Sequence, residues 1–467
     1  MQVEQIYTGC LSQGSYYITS NGEAIIIDPL REVEPYIQRA ERDGVKIKYI
    51  LETHFHADFV SGHIDLAKAT GAQIVFGPNA DTNYEFHQAI DGEILPFGNV
   101  SIKVLHTPGH TMESTCYLLK NEAGEDYALF SGDTLFIGDV GRPDLAQKSA
   151  SMTMEQLAGL LYHSLRNKIM TLADDVIVYP AHGAGSACGK NLSKETVSTI
   201  GEQKKQNYAL RSDMTESEFI KEVTDGLLPP PGYFGMNVAM NKSGYEQISE
   251  VMRRGLTPLT LEAFDLLTSN NEILILDTRS ANEFSNGFIK GSLFVGLEGQ
   301  FAPWVGAMIP NIDQQIVLIT DLGKEEETVK RLARVGYDHV LGYLNGGFQV
   351  WRNAGRKIET IERIDAEQFE KQFQQSPIVI DVRKPGEFEA EHVESATNLP
   401  LDYINENSSN YPNEPFILHC AGGYRSMIAA SVLKMRGLDN FVDVIGGFSA
   451  IAKTAVKRTQ FQCSSKG

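Results

Sequence analysis

Cysteine is scarce in this chain of 467 residues, and no two cysteines lie close together in the sequence. There is no Cys-x-x-Cys pair, and an odd, widely spaced set is a poor basis for a disulfide framework. We therefore expect a reducing, cytoplasmic setting. The cysteines are Cys10, Cys116, Cys188, Cys420 and Cys463.

Long apolar runs and positive charge are also in short supply. No segment has 18 consecutive apolar residues, and the first residues carry neither a basic region nor a long apolar stretch. We expect neither a membrane span nor a secretory signal. Lys and Arg total 41 against 60 Asp and Glu, a net charge of −19, which disfavours nucleic-acid binding. The hydrophobic fraction of 42% is typical of globular proteins, and the length predicts about three domains.

An internal repeat occupies the carboxyl-terminal part of the chain. Its period of about 100 residues predicts two copies of one domain rather than a solenoid. The apolar runs 315–320 and 415–420 predict buried parallel strands, each followed by a loop and an amphipathic helix. We expect two α/β domains, 261–358 and 359–460, with any site at the carboxyl ends of the strands. The recurring residues are Asp277, Arg279, Glu283 and Phe284 with Asp381, Arg383, Glu387 and Phe388, and then 345–348 with 445–448.

Residues 1–248 form a separate predicted domain, joined to the repeats by a linker at 249–260. Several of its strand-like runs end in histidine or aspartate, which places imidazoles and carboxylates together at strand ends. This donor set suits a first-row divalent metal ion. We interpret His87, His163 and His339, which lack this context, as ordinary surface or core residues. The candidate metal residues are His54, His56, Asp58, His110, Asp133 and His182.

The order H-x-H-x-D, P-G-H, G-D and P-A-H resembles the metallo-β-lactamase superfamily. That resemblance implies an αββα sandwich, so the expected whole is a multidomain chain of α/β and α+β folds. Many members bind two zinc ions and carry a histidine directly after the motif's aspartate. Phe59 occupies that position here, and phenylalanine cannot bind a metal. We therefore expect a mononuclear centre.

A closer resemblance is to persulfide dioxygenases, which share Ala57-Asp58 and the segment Gly141-Arg142-Pro143-Asp144. It implies one Fe(II) per chain, with Zn as a possible substitute, at a two-histidine, one-carboxylate face with open positions. The implied ligands are His54, His110 and Asp133, with His56, Asp58 and His182 around them. Arg142 is interpreted either as a substrate anchor or as an ion pair with Asp144. Tyr233, after three prolines, is interpreted as a pocket wall or as core.

The segment Cys420-Ala421-Gly422-Gly423-Tyr424-Arg425-Ser426 lies between a predicted strand and a predicted helix. A thiolate there faces backbone N–H groups at a helix N-terminus, a setting that binds anions. The loop resembles the rhodanese active-site loop. We expect Cys420 and Arg425 to be catalytic and the other loop residues to bind substrate. In the first repeat we align Asp321 with the cysteine, and we expect that repeat to be inactive.

The whole chain resembles a fusion of a persulfide dioxygenase with rhodanese domains. The implied reaction oxidises a small thiol persulfide with O₂ to sulfite, coupled to sulfur transfer that makes or uses thiosulfate. The physiological role would be sulfide detoxification or sulfur assimilation, and the resemblance suggests a homodimer or tetramer. One alternative is a dizinc thioester hydrolase of the glyoxalase II type. Another is a sulfur carrier in which Cys420 only relays sulfur to a partner.

Overall fold

A computed structural model describes residues 1–147, 151–190, 192–227 and 229–460. Cys463 lies outside these ranges. The chain divides into two compact units, Met1–Ile248 with Ala333–Gly336, and Ser249–Leu332 with Tyr337–Gly467. The predicted linker at 249–260 contains most of one helix and a short strand. Within the described ranges no helix is long and apolar enough to cross a membrane.

Two mixed sheets form the framework of the first unit. The first has the strand order β1-β2-β3-β4-β5-β6 and the second the order β12-β11-β10-β9-β8-β7. The strands of the first sheet are β1 Gln2–Thr8, β2 Gln13–Ser20, β3 Glu23–Ile27, β4 Lys46–Leu51, β5 Gln73–Phe76 and β6 His87–Gln88. Those of the second are β7 Ile94–Phe97, β8 Val100–His106, β9 Thr115–Lys120, β10 Asp126–Gly132, β11 Ile177–Pro180 and β12 Ser198–Thr199.

The two sheets enclose an apolar core, because alternate residues of their strands point inward. In β8, for example, Val100, Ile102 and Val104 are buried while the residues between them are partly exposed. One core cluster joins residues of both sheets, and two further clusters lie between a sheet and its helices. These layers are those of an αββα sandwich, as the sequence predicted. The helices of this unit are α1 Glu34–Asp43, α2 His63–Thr70, α3 Met154–Ser164, α4 Ile200–Gln206, α5 Glu216–Thr224 and α6 Phe234–Ser243.

The second unit contains two five-stranded sheets with the same internal order, β13-β17-β16-β14-β15 and β18-β22-β21-β19-β20. All their strand pairs are parallel, which confirms two copies of one α/β domain. The strands are β13 Pro258–Leu259, β14 Leu274–Asp277, β15 Leu293–Phe294, β16 Ile316–Ile319, β17 Val340–Leu344, β18 Arg363–Ile364, β19 Ile378–Asp381, β20 Thr397–Asn398, β21 Phe416–His419 and β22 Phe441–Val444.

Helices flank these sheets, and several begin at side-chain caps. Ser280 and Asp365 each form a capping box with the residue three positions later, which satisfies backbone N–H groups at the helix start. The helices of the second unit, with α7 and α11 spanning the division, are α7 Ile248–Gly255, α8 Leu261–Thr268, α9 Ala281–Ser285, α10 Phe301–Met308, α11 Glu325–Arg334, α12 Gly347–Asn353, α13 Ala366–Phe373, α14 Pro385–Ala390, α15 Tyr424–Met435 and α16 Gly447–Ile451.

The repeated Asp-x-Arg motif has a structural explanation. In the second copy Arg383 makes a buried ion pair of 2.6 Å with Asp381, and its guanidinium lies 3.9 Å from the ring centroid of Phe448. In the first copy Arg279 does the same with Asp277 and Phe348, at 2.6 and 4.1 Å. The motif therefore joins the end of a central strand to the helix that begins at the Gly-Gly-Phe sequence.

Candidate functional site

The predicted metal residues of the first unit converge at one edge of the sandwich. His54 follows β4, His110 follows β8 and Asp133 follows β10, and all three side chains are buried. The Nε2 atoms of His110 and His54 lie 3.5 and 3.9 Å from Asp133 Oδ2. One ligand atom from each residue lies within 4.8 Å of the other two. We call these three residues the His54 site.

Hydrogen bonds fix the orientation of both imidazoles in the His54 site. His110 Nδ1 donates to the carbonyl oxygen of Arg142 at 2.8 Å, and His54 Nδ1 lies 3.0 Å from the hydroxyl of Thr53. That hydroxyl donates to Asp28 at 2.9 Å, so it accepts from His54. Both rings therefore keep Nε2 unprotonated and directed at the cluster, as metal-binding histidines do. Burial, reinforced by neighbouring imidazoles, holds the pKa of His54 well below its ordinary value.

The His54 site fits a divalent metal ion. Both carboxylate oxygens of Asp133 are buried and make no hydrogen bond within the described residues. Leaving such a carboxylate buried without a partner is costly, and a cation removes that cost. Two imidazoles and one carboxylate are the donors that a two-histidine, one-carboxylate iron site uses, and zinc accepts the same donors.

His56 is directed away from the His54 site. Its Nε2 lies 3.1 Å from Asp28 Oδ1 and 3.4 Å from Glu52 Oε2. Burial opposes the charged imidazolium, but the two carboxylates outweigh it and raise the pKa of His56. Burial also raises the pKa of Glu52 to about 7. Asp28, with a left-handed φ of 51°, further accepts a hydrogen bond of 2.8 Å from the backbone N–H of Thr53, so this pair of acids positions the loop that carries His54.

A second group of donors lies beside the first. Asp58, His182 and Cys188 are all buried, and one ligand atom of each lies within 4.8 Å of the others. Cys188 was missed by the sequence reasoning, which assigned it no special setting. The only signal was its position six residues after His182 in a loop rich in glycine and serine. Burial, followed by the charges of Asp58 and Asp133, raises the pKa of the Cys188 thiol. We call these three residues the Cys188 group.

Arg142 connects the two groups through its backbone. Its N–H donates to the carbonyl of Cys188 at 3.0 Å, and its carbonyl accepts from His110. Its guanidinium makes two hydrogen bonds of 2.7 Å with Asp144. This is the ion pair that one of the two interpretations of Arg142 expected. Tyr233 is 2% exposed, with its ring centroid 5.2 Å from that of Phe234.

Gly141 is needed for this close approach. A Cβ at that position would lie 2.0 Å from the carbonyl oxygen of Asp133 and 3.0 Å from His110 Nδ1. Any side chain would therefore push the Arg142 segment away from both metal residues. The glycine accounts for the first position of the Gly-Arg-Pro-Asp motif, which the sequence analysis linked to persulfide dioxygenases.

The predicted sulfur-transfer residues also come together, in the second unit. Cys420 directly follows β21, and its Sγ accepts a hydrogen bond of 3.1 Å from the N–H of Gly423 at the start of α15. The Arg425 guanidinium is bound by Glu387 at 2.6 and 2.8 Å. A cavity of about 440 Å³ opens over the thiol. Its lining residues are Gln300, Trp304, Lys384, Glu387, Cys420, Ala421, Gly422, Tyr424 and Arg425.

Two of these lining residues, Gln300 and Trp304, come from the first repeat. The same repeat holds Tyr424, whose hydroxyl donates to the carbonyl of Gly296 at 2.7 Å. Ser426, in contrast, is fully buried beneath the loop. The cavity is therefore built by both repeats, although only the second supplies the thiol.

The alignment of Asp321 with the cysteine needs a correction. In β14 and β16 Asp277 pairs with Ile319, and in β19 and β21 Asp381 pairs with His419. The residue that follows Ile319 is Thr320, so Thr320 occupies the position of Cys420 and Asp321 that of Ala421.

Comparison with known proteins agrees with this architecture. The profile of the metallo-β-lactamase superfamily matches residues 8–182, and that of the rhodanese-like domain matches 260–354 and 365–454. Human mitochondrial persulfide dioxygenase ETHE1 is 32% identical over 225 residues, which cover 47% of this chain and 78% of that protein. A cytoplasmic hydroxyacylglutathione hydrolase of Arabidopsis thaliana is 32% identical over 178 residues, covering 37% and 65%.

A crystal structure of a metallo-β-lactamase from Staphylococcus aureus subsp. aureus COL matches a larger part of this chain. It has a TM-score of 0.64 and 32% identity, and covers 74% of this chain and 98% of that one. The chain therefore belongs to the metallo-β-lactamase superfamily, as a member fused to two rhodanese-like domains. Within that superfamily its first unit is a homologue of the ETHE1 persulfide dioxygenases, and the predicted fusion architecture is confirmed.

Proposed function

We propose that the first unit oxidises a low-molecular-weight thiol persulfide and that Cys420 transfers sulfur to the product. The overall oxidation is R-S-SH + O₂ + H₂O → R-SH + HSO₃⁻ + H⁺. The observation that carries the proposal is the His54 site, in which two unprotonated imidazole nitrogens and one unpartnered carboxylate converge. The similarity to ETHE1 persulfide dioxygenases supports the same reaction.

In this proposal His54, His110 and Asp133 hold one Fe(II), and three protein ligands leave positions for substrate and O₂. Bound iron would supply the redox chemistry that zinc lacks. The chain's own residues orient the ligands: Thr53 and the carbonyl of Arg142 keep the two imidazoles deprotonated at Nε2. The buried site also keeps bulk water away from the sulfur being oxidised.

Sulfur transfer follows at Cys420. Its thiolate attacks the terminal sulfur of a persulfide, Cys-S⁻ + R-S-SH → Cys-S-SH + R-S⁻. Sulfite then takes that sulfur from the deprotonated persulfide, Cys-S-S⁻ + SO₃²⁻ → Cys-S⁻ + S₂O₃²⁻. The loop N–H of Gly423 stabilises negative charge on Sγ, and Arg425 with the backbone of Ala421 and Gly422 faces the anion. The transfer can also run in reverse and consume thiosulfate.

The proposal extends to the setting of the protein. The free cysteines of the described residues, Cys10, Cys116, Cys188 and Cys420, fit a reducing cytoplasm. We keep the homodimer or tetramer suggested by the family resemblance, and sulfide detoxification as the role. We also propose that a small thiol carries the sulfur that is oxidised. Arg142 and Tyr233 contact this substrate in the proposal.

Oxygen uptake and thiosulfate formation test both steps on the full chain. His110→Ala should abolish O₂ uptake with a glutathione persulfide, because it removes a metal ligand. His163→Ala, at a half-exposed histidine outside the site, should leave uptake unchanged. Cys420→Ser should keep O₂ uptake and lose thiosulfate formation, whereas Cys116→Ser should keep both. Full uptake by His110→Ala, or normal thiosulfate from Cys420→Ser, would contradict the proposal.

The second candidate is thioester hydrolysis of the glyoxalase II type. It is favoured by the similarity to hydroxyacylglutathione hydrolases and by the presence of a second donor group beside the His54 site. Zinc would then lower the pKa of bound water. Turnover of S-lactoylglutathione by the zinc-loaded protein, without O₂ uptake by the iron-loaded protein, would establish this function instead.

A further inference from the structure

We propose that the cavity over Cys420 recognises the organic part of the persulfide donor, and that this donor carries a carboxylate, which Lys384 binds while Trp304 packs against the carbon chain. This inference rests on the proposed sulfur transfer at Cys420 and names the class of thiol that delivers the sulfur. Neither residue belongs to the loop that holds the thiol. Lys384 directly precedes α14, and Trp304 lies in α10 of the first repeat.

The cavity is larger than an inorganic sulfur anion requires. Its volume is about 440 Å³, within the range of about 300–1,000 Å³ that is typical of pockets for small organic molecules. A water molecule takes up about 30 Å³ of liquid, so sulfite, an ion of a few atoms, would leave most of the space unfilled. The organic part of a thiol persulfide is therefore the occupant that the volume favours.

Lys384 gives the lining of the cavity a positive charge that no other lining residue balances. The two other charged side chains, Arg425 and Glu387, are paired with each other at 2.6 and 2.8 Å. Burial opposes ionisation of Glu387, but Arg425 outweighs it and lowers the pKa of that carboxyl, so both charges persist and cancel. The Lys384 ammonium makes no ion pair with any residue that the structure describes. A carboxylate on the donor would supply the missing partner.

Two aromatic side chains provide the apolar part of the lining. Trp304 is buried in α10 together with its neighbours Phe301 and Val305, which fixes the position of the indole. Tyr424 presents its ring rather than its hydroxyl, because the hydroxyl already donates to the carbonyl of Gly296 at 2.7 Å. Apolar walls gain free energy by covering carbon, so they favour a thiol with a carbon chain over a purely inorganic donor.

Binding the organic part directs the sulfur atoms at Cys420. The thiolate attacks the outer sulfur of the donor, the S–S bond breaks, and its electron pair leaves with R-S⁻. Lys384 and Trp304 hold R, while the N–H of Gly423 stabilises charge on Cys420 Sγ. Holding both reactants in this way favours a reactive geometry, which raises kcat/KM.

Persulfides with similar carbon chains and different end groups test the charge. Those of mercaptopropionate, mercaptoethanol and cysteamine end in a carboxylate, a hydroxyl and an ammonium group. Transfer to saturating cyanide, Cys-S-S⁻ + CN⁻ → Cys-S⁻ + SCN⁻, is measured on the full chain without O₂ as thiocyanate formed, and the Cys420→Ser variant gives the background. We expect kcat/KM to fall in that order, with the carboxylate donor about three-fold above the hydroxyl donor, as for an exposed ion pair.

Reversal of the charge at Lys384 gives the most informative variant. Lys384→Glu should reverse the order of the carboxylate and ammonium donors. The ratio between two donors cancels any effect on folding, on the loop or on the persulfide group that they share. Lys371→Glu is the matched control, since Lys371 is exposed in the same repeat and does not line the cavity, and it should keep the wild-type order. Equal kcat/KM for the donors in the wild type, or an unchanged order in Lys384→Glu, would overturn the carboxylate assignment.

Trp304→Leu tests the apolar wall. It should raise KM for glutathione persulfide several-fold relative to KM for thiosulfate, because thiosulfate has no carbon chain to contact the indole. Trp351→Leu is the control, since Trp351 is a buried tryptophan of the same repeat outside the cavity lining, and it should leave this ratio unchanged. Equal changes for both donors in Trp304→Leu would show that Trp304 only supports the loop and would overturn its part in recognition.

The results separate this inference from the proposed function. If no donor loads Cys420 with sulfur, the proposed sulfur transfer fails and the inference fails with it. If every donor loads Cys420 with the same kcat/KM, the sulfur transfer stands and only the recognition by Lys384 fails. The assay requires neither iron nor O₂, so its outcome does not depend on persulfide oxidation by the first unit.

Discussion

Gly447 shows how one residue without a side chain controls the shape of the Cys420 loop. Its φ is 52°, in the left-handed region, and a Cβ there would lie 2.3 Å from the carbonyl oxygen of Cys420. The N–H of Phe448, the next residue, donates to that same carbonyl at 2.7 Å. The glycine therefore allows α16 to begin directly against the loop that presents the thiol.

Gly447→Ala should lower sulfur transfer by at least about 10-fold, because the clash of the new Cβ with the Cys420 carbonyl displaces the loop that presents the thiol. A loss of about 1.4 kcal/mol of transition-state stabilisation corresponds to that factor of ten. Thiosulfate formation from a persulfide and sulfite is the measurement, and O₂ uptake by the first unit should not change.

Gly437→Ala is the control for this substitution. Gly437 also has a left-handed φ, of 83°, but no atom lies within 4 Å of its Cβ position. It should cost stability and leave the turnover of the folded enzyme unchanged. Equal losses of turnover in the two variants would show that the close approach at Gly447 does not position Cys420.

Some residues of the candidate sites could be predicted from the sequence, and others could not. His54, His110 and Asp133 could be predicted to meet, because strand ends share one edge of a sheet. Cys188 could not, since it reaches the group through a loop whose path depends on Arg142 and Ser186. Asp321 was aligned with Cys420 in error, although the runs 315–320 and 415–420 end at Thr320 and Cys420, and the strand register gives the same pairing.

At the scale of elements, a buried ion pair joins two neighbouring strands of the second repeat. Arg363 in β18 and Asp443 in β22 are paired in register, with Arg363 Nε 2.9 Å from Asp443 Oδ2. Asp443 is fully buried. Burial, only partly offset by Ser426 and Arg363, raises the pKa of Asp443 to about 6.

This raised pKa predicts a pH-dependent stability of the second unit. Between an unfolded pKa of about 4 and the folded value, the folded chain holds the proton and the unfolded chain has lost it. Raising the pH through this window should therefore lower the free energy of unfolding by about 3 kcal/mol in total, with no further loss from Asp443 above it. Asp443→Asn, which carries no titrating proton, should remove this dependence.

Urea unfolding at several pH values, followed by tryptophan fluorescence, measures the effect. Both tryptophans, Trp304 and Trp351, lie in the second unit. Asp439→Asn is the control, because Asp439 is exposed and makes an ion pair with Lys434. Parallel profiles for wild type and Asp443→Asn would contradict the assignment.

The elements themselves were largely predictable. The buried runs 315–320 and 415–420 were predicted as parallel strands and form β16 and β21, because a strand covered on both faces is apolar throughout. The segment 249–260 was harder, since a short amphipathic helix and a two-residue strand carry a weak signal. Helix α7 and strand β13 form in this segment because they pack against other parts of the fold.

At the scale of the whole molecule, the first repeat forms part of the cavity used by the second. Gln300 lies on the cavity wall and is exposed. Gln300→Glu should lower kcat/KM for sulfite several-fold at low ionic strength, because a new negative charge at the entrance repels the anion. Gln300→Ala should have little effect.

Two controls test this prediction: the ionic strength of the assay, and a variant that places the same charge at another position. Added salt screens exposed charges, so the difference between Gln300→Glu and wild type should shrink as ionic strength rises. Gln349→Glu places the same charge on an exposed residue of the first repeat outside the cavity lining, and it should leave kcat/KM unchanged. An equal loss in both variants would show that the net charge of the unit, not the entrance, repels sulfite.

Gly299 of the first repeat contacts the loop of the second. A Cβ at this residue would lie 2.4 Å from the Tyr424 ring, so the ring of one repeat packs on the bare backbone of the other. Any side chain at position 299 would therefore displace Tyr424 and with it the segment that begins at Cys420. A substitution in the first repeat can in this way alter sulfur chemistry in the second without adding or removing a reactive group.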